Sequence, residues 1–201
     1  ARIQKGSAMN RPALIFLALL ALSACREERS ALPAPVAMTA ESTGHYCQME
    51  LLEHPGPKAQ AHLAGLEHPL FFSQVRDVVA YQRMPEQSHV VSVAYVSDMG
   101  AEGAHWDDPG AENWIEASQA HYVVGSALAG GMGAPELVPF ARIEDAQAFA
   151  ARHGGEVLRL DQIPDSAVLA PVETGEQGSA ADEDDFQRRL RALASDEEIE
   201  G

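Results

Sequence analysis

The chain has 201 residues, 46% of them hydrophobic, and its 14 basic and 30 acidic residues give a formal net charge of −16. This length suits one domain or two small ones, and the apolar fraction is typical of a globular protein. The negative charge argues against nucleic acid or anionic lipid as a partner and favours a metal cation or a protein with a basic face.

The N-terminal region has the pattern of an export signal. The first methionine is Met9, so we interpret residues 1–8 as an upstream extension. Residues 13–22 form an uninterrupted apolar run that is followed by Ser23-Ala24-Cys25. A run of this length matches the apolar region of a signal peptide and is too short to span a bilayer. We therefore expect residues 1–24 to be removed on export.

The segment Leu22-Ser23-Ala24-Cys25 is similar to the lipobox of bacterial lipoproteins, in which the cysteine receives a lipid and becomes the first mature residue. The alternative is an ordinary cleaved signal, or a short anchor helix that ends in Ala-Cys. The lipoprotein interpretation predicts a periplasmic protein anchored through Cys25, and Arg26 at the next position favours the outer membrane. Cys47 would then be the only remaining thiol, without a disulfide partner in an oxidising compartment.

The remaining chain divides by its hydrophobic pattern. Residues 25–44 contain prolines without periodicity and predict a lipidated tether. A first module is expected over 45–100, with strands near 47–52, 60–63, 70–72 and 90–96 and a helix between the last two. The first two strands would form a hairpin. After a connecting loop at 101–120, a second module over 121–165 has strands near 121–125, 137–140 and 156–160 and a helix over 143–150 that Gly154 ends. Residues 166–201 are acidic and predict a disordered tail.

The two modules resemble each other. A shift of 68 residues places Phe72 on Phe140, Val75 on Ile143, Asp77 on Asp145, Ala80 on Ala148 and Tyr81 on Phe149. This match preserves both helical spacing and residue type, although two amphipathic helices can resemble each other by chance. The predicted fold is α+β, with two similar ββαβ modules in one body.

Cys47 and Met49 are the strongest candidate metal ligands. In an extended segment, residues two positions apart point to the same face, so their sulfur atoms would converge. A thiolate with a thioether suits Cu(I) better than Zn(II), which prefers thiolate, imidazole and carboxylate. The alternative is that Cys47 is a small buried hydrophobe and Met49 fills the core.

Further donors are available elsewhere in the chain. Met99 follows the strongest predicted strand and is the first candidate for a third ligand. Met132 lies between glycines, and His54 lies at a Pro-Gly-Pro turn, where an exposed histidine with no ligand role is the simpler interpretation. The sequence has no His-x-x-x-His or Cys-x-x-Cys pattern, which argues against structural zinc and attached c-type haem.

Five blocks of sequence carry a resemblance to a known family. They are Cys47-Gln48-Met49, Gly56-Pro57-Lys58, the run from Phe72 to Asp77, Tyr95-Val96-Ser97-Asp98-Met99, and Gly130-Gly131-Met132-Gly133 with Pro139-Phe140. In this order behind a lipobox, the chain resembles NosL over about residues 45–161. The resemblance implies a Cu(I)-binding lipoprotein that is accessory to nitrous oxide reductase. It would act as a copper chaperone with an ABC-type transporter complex and supply the copper–sulfide centre of the reductase apoprotein.

The resemblance also implies a fold of two ββαβ modules related to the organomercurial lyase, without its activity, because carbon–mercury cleavage there relies on a pair of cysteines. Many relatives have Gly between the Cys and the Met, where this chain has Gln48. Two other hypotheses stay open: a thiol enzyme with Cys47 as nucleophile and His45, His54 or His121 as base, and a lipoprotein whose sulfur residues are only packed. We expect a monomer that catalyses no reaction.

Overall fold

The structure, a computed structural model, describes residues 32–85 and 89–171. The chain divides into two units, 1–32 and 33–201, and every helix and strand named below belongs to the second. The predicted signal peptide, the lipidation site Cys25 and residues 172–201 of the acidic tail lie outside the described residues. Within the described ranges, no helix has the length and apolar character needed to cross a bilayer.

The first half forms a four-stranded antiparallel sheet. Its strands are β1 (Ala59–Leu63), β2 (Leu70–Phe72), β3 (Val91–Val96) and β4 (Ile115–Glu116), in the spatial order β2-β1-β3-β4. Helix α1 (Val75–Arg83) follows β2. Val75, Val78 and Val79 recur at helical spacing and are buried, which explains why this face packs on the sheet.

The second half forms a three-stranded antiparallel sheet. Its strands are β5 (His121–Val124), β6 (Val138–Phe140) and β7 (Glu156–Leu158), in the order β6-β5-β7. Helix α2 (Ile143–His153) follows β6 and ends at Gly154, whose φ of 76° suits glycine. The prediction of an α+β fold is confirmed in this form: among the described residues there are two antiparallel sheets and two α-helices.

Strand β5 is shared between two hydrophobic clusters. Tyr122 is fully buried in the larger cluster with β1 and α1, whereas its neighbour Val123 is fully buried in a smaller cluster with Val138, Phe140 and Phe149. Successive strand residues point to opposite faces, so the second sheet contacts the main core on one face and α2 on the other.

The predicted strand over 47–52 and its hairpin with 60–63 are wrong. Residues 45–47 form a turn, and Leu51–Glu53 form a 3₁₀ helix. Strand β1 pairs with β2 and β3 instead. The extended conformation is lost because the Gln48 N–H donates to Gly44 O (2.8 Å) and the Gly44 N–H to Met49 O (3.0 Å), which close a compact loop.

The range predicted for the structured body, residues 45–165, is also too short at both ends. Residues 33–44 were expected to belong to the tether, but Gln60 exchanges two hydrogen bonds of 2.9 Å with the backbone of Val36, and Met38 is buried. At the other end, Val168 is buried in the main core, and Arg76 donates to Val168 O. The structured body therefore begins before residue 45 and extends beyond residue 165.

Candidate metal centre

The loop that carries Cys47 and Met49 is closed on itself and attached to the first sheet. Besides the two bonds between its ends, the His45 N–H donates to Phe71 O of β2 (2.6 Å). Gln48 adopts a left-handed backbone conformation with φ of 55°, and its side-chain amide donates to His45 O (2.6 Å). The extended geometry that was expected to place Cys47 and Met49 on one face is therefore wrong, because residues 45–47 form a turn and not a strand.

The loop sets the exposure of both sulfur residues. Cys47 is half-buried and not in a disulfide, whereas Met49 is 40% exposed. Gly44 leaves room for the thiol, because a Cβ at this position would lie 2.4 Å from Cys47 Sγ. The two residues therefore belong to one short, partly open loop, as soft donors for an exchangeable metal ion would require.

A second segment approaches the same part of the first sheet. The turn Gly130-Gly131-Met132 packs on residues 54–56: a Cβ on Gly131 would lie 2.8 Å from His54 Cβ and 3.5 Å from Ser73 O. A Cβ on Gly44 would lie 3.7 Å from Ser73 N. Ser73 thus borders both the Cys47 loop and the turn that precedes Met132, so the structure brings the His54 and Met132 segments into the neighbourhood of Cys47.

The thioether of Met132 is open to solvent, so a metal ion could reach it. Its backbone N–H donates to Gln74 Oε1 (2.9 Å), which fixes the turn, and its side chain is 43% exposed. Met99 is placed differently. Its backbone N–H donates to Pro139 O (2.9 Å), and its side chain packs against the smaller hydrophobic cluster. The roles of Met132, His54 and Met99 as ligands stay predictions.

Two other histidines, His45 and His105, have structural contacts. The His45 ring packs against Tyr46, Phe72 and Tyr81, with ring centroids 5.1–5.7 Å away. His105 Nδ1 accepts the Asp108 N–H (2.9 Å) in the long loop. In the part of the chain that the structure describes, no group of three or more His, Cys, Asp or Glu side chains is arranged to hold a metal ion.

A buried polar cluster formed by Lys58 and Glu136 was not predicted from the sequence. Lys58 is fully buried, and its ammonium donates to Pro55 O (3.0 Å) and Gly56 O. Burial lowers the pKa of Lys58 to about 8, against the opposing effect of the negative charges of Glu136 and the Cys47 thiolate. The sequence gives no local signal of this burial, because lysine is usually exposed and strand β1 itself contains Gln60 and His62.

Glu136 is the second member of this cluster. Its Oε1 accepts the backbone N–H groups of Arg76 (3.0 Å) and Leu137 (2.8 Å). Burial raises its pKa to about 8, although these two hydrogen bonds oppose the shift. Gly130 leaves space for its other oxygen, because a Cβ there would lie 2.5 Å from Glu136 Oε2 and 2.9 Å from Gln74 Nε2. Glu136 is therefore mostly protonated at neutral pH.

Comparison with known proteins gives a consistent result. The NosL family model matches residues 35–168. The chain is 58% identical over 180 residues to the copper-binding lipoprotein NosL of Achromobacter cycloclastes, covering 90% of this chain and 93% of that one. It is 34% identical over 172 residues to the protein of the same name from Stutzerimonas stutzeri, covering 84% and 87% of the two chains. The crystal structure of the copper chaperone NosL from Shewanella denitrificans superposes with a TM-score of 0.61 at 32% identity, covering 66% of this chain and 97% of that one.

The contact between Gly44 and Cys47 gives a first prediction. Gly44→Ala should displace the thiol, because the new methyl group would overlap Cys47 Sγ. We expect the alkylation rate of Cys47 in the folded protein to change at least about threefold, while the free energy of unfolding falls by about 1–3 kcal/mol, as for other overpacked sites. Alkylation kinetics and urea unfolding measure the two effects. An unchanged alkylation rate in a folded Gly44→Ala protein would contradict this geometry.

The raised pKa of Glu136 gives a second prediction. Between about pH 4.5 and pH 8 the unfolded chain has this carboxyl ionised while the folded protein keeps it protonated, so the group lowers stability as pH rises. Glu136→Gln should flatten the fall in unfolding free energy between pH 5 and pH 8, measured by urea unfolding at each pH. The exposed Glu144→Gln is the matched control and should leave the slope unchanged. An unaltered slope for Glu136→Gln would show that Glu136 is ionised in the folded protein.

Proposed function

The chain belongs to the NosL family, and we propose that it is a Cu(I)-binding lipoprotein that acts as a copper chaperone in assembly of nitrous oxide reductase. The observation that carries this proposal is a half-buried thiol and an exposed thioether on one closed loop. The names of the relatives support copper as the cargo. Anchorage through Cys25 in the periplasm, on the outer membrane, forms part of the same proposal and rests on the lipobox.

We infer that Cys47 and Met49 are the primary ligands. The thiolate supplies affinity, and the thioether adds a soft donor without charge. The contacts around Ser73 support Met132 or His54 as the third donor, because their segments adjoin the Cys47 loop. Met99, which the sequence favoured, packs in the smaller cluster and would have to turn away from it.

Transfer then proceeds by ligand exchange and needs no reaction catalysed on a substrate. A donor from the acceptor protein attacks the copper from the open side of the loop, and the weakly held thioether leaves first. The exposure of Met49 and Met132 supports such an open side. The proposed acceptors are the ABC-type maturation complex and the reductase apoprotein, reached by a monomeric carrier.

We further propose that the two halves are copies of one ββαβ unit. In the first, Phe72 ends β2 and pairs with Ala59 of β1; in the second, Phe140 ends β6 and pairs with His121 of β5. The helices begin three residues after these phenylalanines in both halves. Equivalent registers therefore support the match at a shift of 68 residues. The predicted division into two modules joined by a connecting loop at 101–120 is part of this proposal, with the body extended at both ends as described above.

The ligand assignment predicts an ordered set of losses. Cys47→Ser should weaken Cu(I) binding by about 100-fold or more, because it removes the only charged donor, and Met49→Leu by about tenfold. Affinities are measured by competition with a Cu(I) chelator. Met38→Leu is the control for loss of a thioether, since the Met38 side chain is buried and closed to solvent. X-ray absorption of the loaded protein should show one fewer sulfur neighbour in Met49→Leu.

The same series identifies the third donor. Three further variants are compared by X-ray absorption of the copper-loaded protein: Met132→Leu, His54→Ala and Met99→Leu. The variant that loses one atom from the copper coordination shell identifies the third ligand. Full Cu(I) affinity in Cys47→Ser would overturn the site assignment altogether.

The proposed role in reductase assembly is tested in cells. In a denitrifying host that lacks its own NosL, the wild-type chain should restore nitrous oxide reduction and the absorption of the copper–sulfide centre in the purified reductase. Cys47→Ser should restore neither, whereas Met38→Leu, which changes a buried methionine, should restore both. If cells with Cys47→Ser at wild-type protein levels still made reductase with a normal copper–sulfide centre, the proposed role in copper delivery would be wrong.

A further inference from the structure

Lys58 places a fixed positive charge behind the loop that carries Cys47. Its backbone N–H donates to Ser97 Oγ (3.1 Å), and its carbonyl accepts the Ser97 N–H (3.0 Å), which pins the main chain. Its ammonium is held by Pro55 O and Gly56 O, at the turn on which residues 130–132 pack. Because it is anchored at both ends and fully buried, this side chain cannot move its charge into solvent.

Among the described contacts, the ammonium of Lys58 makes no hydrogen bond to a carboxylate. Its two hydrogen-bond acceptors are neutral carbonyls. The carboxyl that interacts with it, Glu136, accepts its hydrogen bonds from the backbone N–H groups of Arg76 and Leu137 and not from the ammonium. The remaining partner is the sulfur of Cys47, which interacts with Lys58 when ionised. The segments around the Cys47 loop therefore enclose a buried cation whose described hydrogen-bond acceptors are both neutral.

We propose that Lys58 sets the charge selectivity of the metal site, favouring a monovalent d¹⁰ ion such as Cu(I) over a divalent one such as Zn(II). This inference rests on the proposed copper site. One thiolate with neutral donors gives a neutral complex with a monovalent ion. The same donors give a complex of charge +1 with a divalent ion, and this charge is repelled by the nearby ammonium.

The chemistry of the ligands alone does not fully discriminate Cu(I) from Zn(II). Zn(II) binds cysteine thiolate and histidine readily, and His54 is close to the site. Soft donors favour Cu(I), but proteins achieve selectivity among metals by geometry and ligand type rather than by affinity alone. A buried charge adds a criterion that does not depend on softness. Across roughly 10 Å at an effective dielectric constant of about 20, one unit of charge changes an equilibrium about tenfold.

The test compares ions that differ mainly in charge. Dissociation constants are measured at pH 7 by chelator competition for Cu(I) and Zn(II), and again for the d¹⁰ pair Ag(I) and Cd(II). Each ion displaces the same thiol proton, so the ratio of two constants removes any change in the ionisation of Cys47. Lys58→Met should reduce the preference for the monovalent ion about tenfold in both pairs, whereas Lys58→Arg, which keeps the charge, should stay within about threefold of wild type.

Gln60→Met is the matched control. Gln60 lies two residues further along the chain, is also fully buried, and is neutral; its replacement loses comparable hydrogen bonds without losing charge, so the preference should not change. If Lys58→Met does not fold, Lys58→Gln gives the same comparison and retains an amide donor toward the two carbonyls. An unchanged ratio in the folded neutral variant, or an equal shift in Gln60→Met or Lys58→Arg, overturns the inference. A wild-type protein that does not bind Cu(I) at all would instead overturn the proposed function.

Discussion

The close approach of the Cys47 sulfur to Gly44 is the contact on which the rest of the candidate site depends. The loop can turn back on itself only because no side chain occupies the position 2.4 Å from Cys47 Sγ. Its two ends are then joined by backbone hydrogen bonds between Gly44 and both Gln48 and Met49. A closed loop of this kind holds its side chains without burying them in the core, so a thiol can be shielded in part and still be reached by an ion.

The surrounding fold brings three separate segments of the chain to that loop. Strand β2 ends at Phe72, and the next residue, Ser73, borders both the Cys47 loop and the Gly130-Gly131 turn. The turn comes from the second half, and its glycines allow backbone contact with residues 54–56 of the first half. The candidate donors therefore come from both halves, which gives each half of the proposed duplication a part in one site.

Regular elements were predictable from the sequence because their signals are local. The valines of α1 recur at helical spacing, β3 is rich in β-branched residues, and Gly154 marks the end of α2. The Cys47 segment was not predictable in this way. Its residues favour a strand, but the left-handed Gln48 and the bond from His45 to Phe71 depend on a tertiary contact 26 residues away in the sequence. The burial of Lys58 and Glu136 depends equally on the assembled fold, since single charged residues are usually exposed.

A copper carrier must bind its ion firmly and still release it, and the charges at this site bear on both requirements. One thiolate neutralises a monovalent ion, so the loaded loop would carry no net charge and would not need a second buried anion. Neutral thioethers can then leave one at a time without separating charge. After transfer the thiolate is left behind, and the ammonium of Lys58 interacts favourably with it. Under the proposed charge selectivity, the buried cation would stabilise the empty state and disfavour divalent ions, both through one charge held by two carbonyl groups.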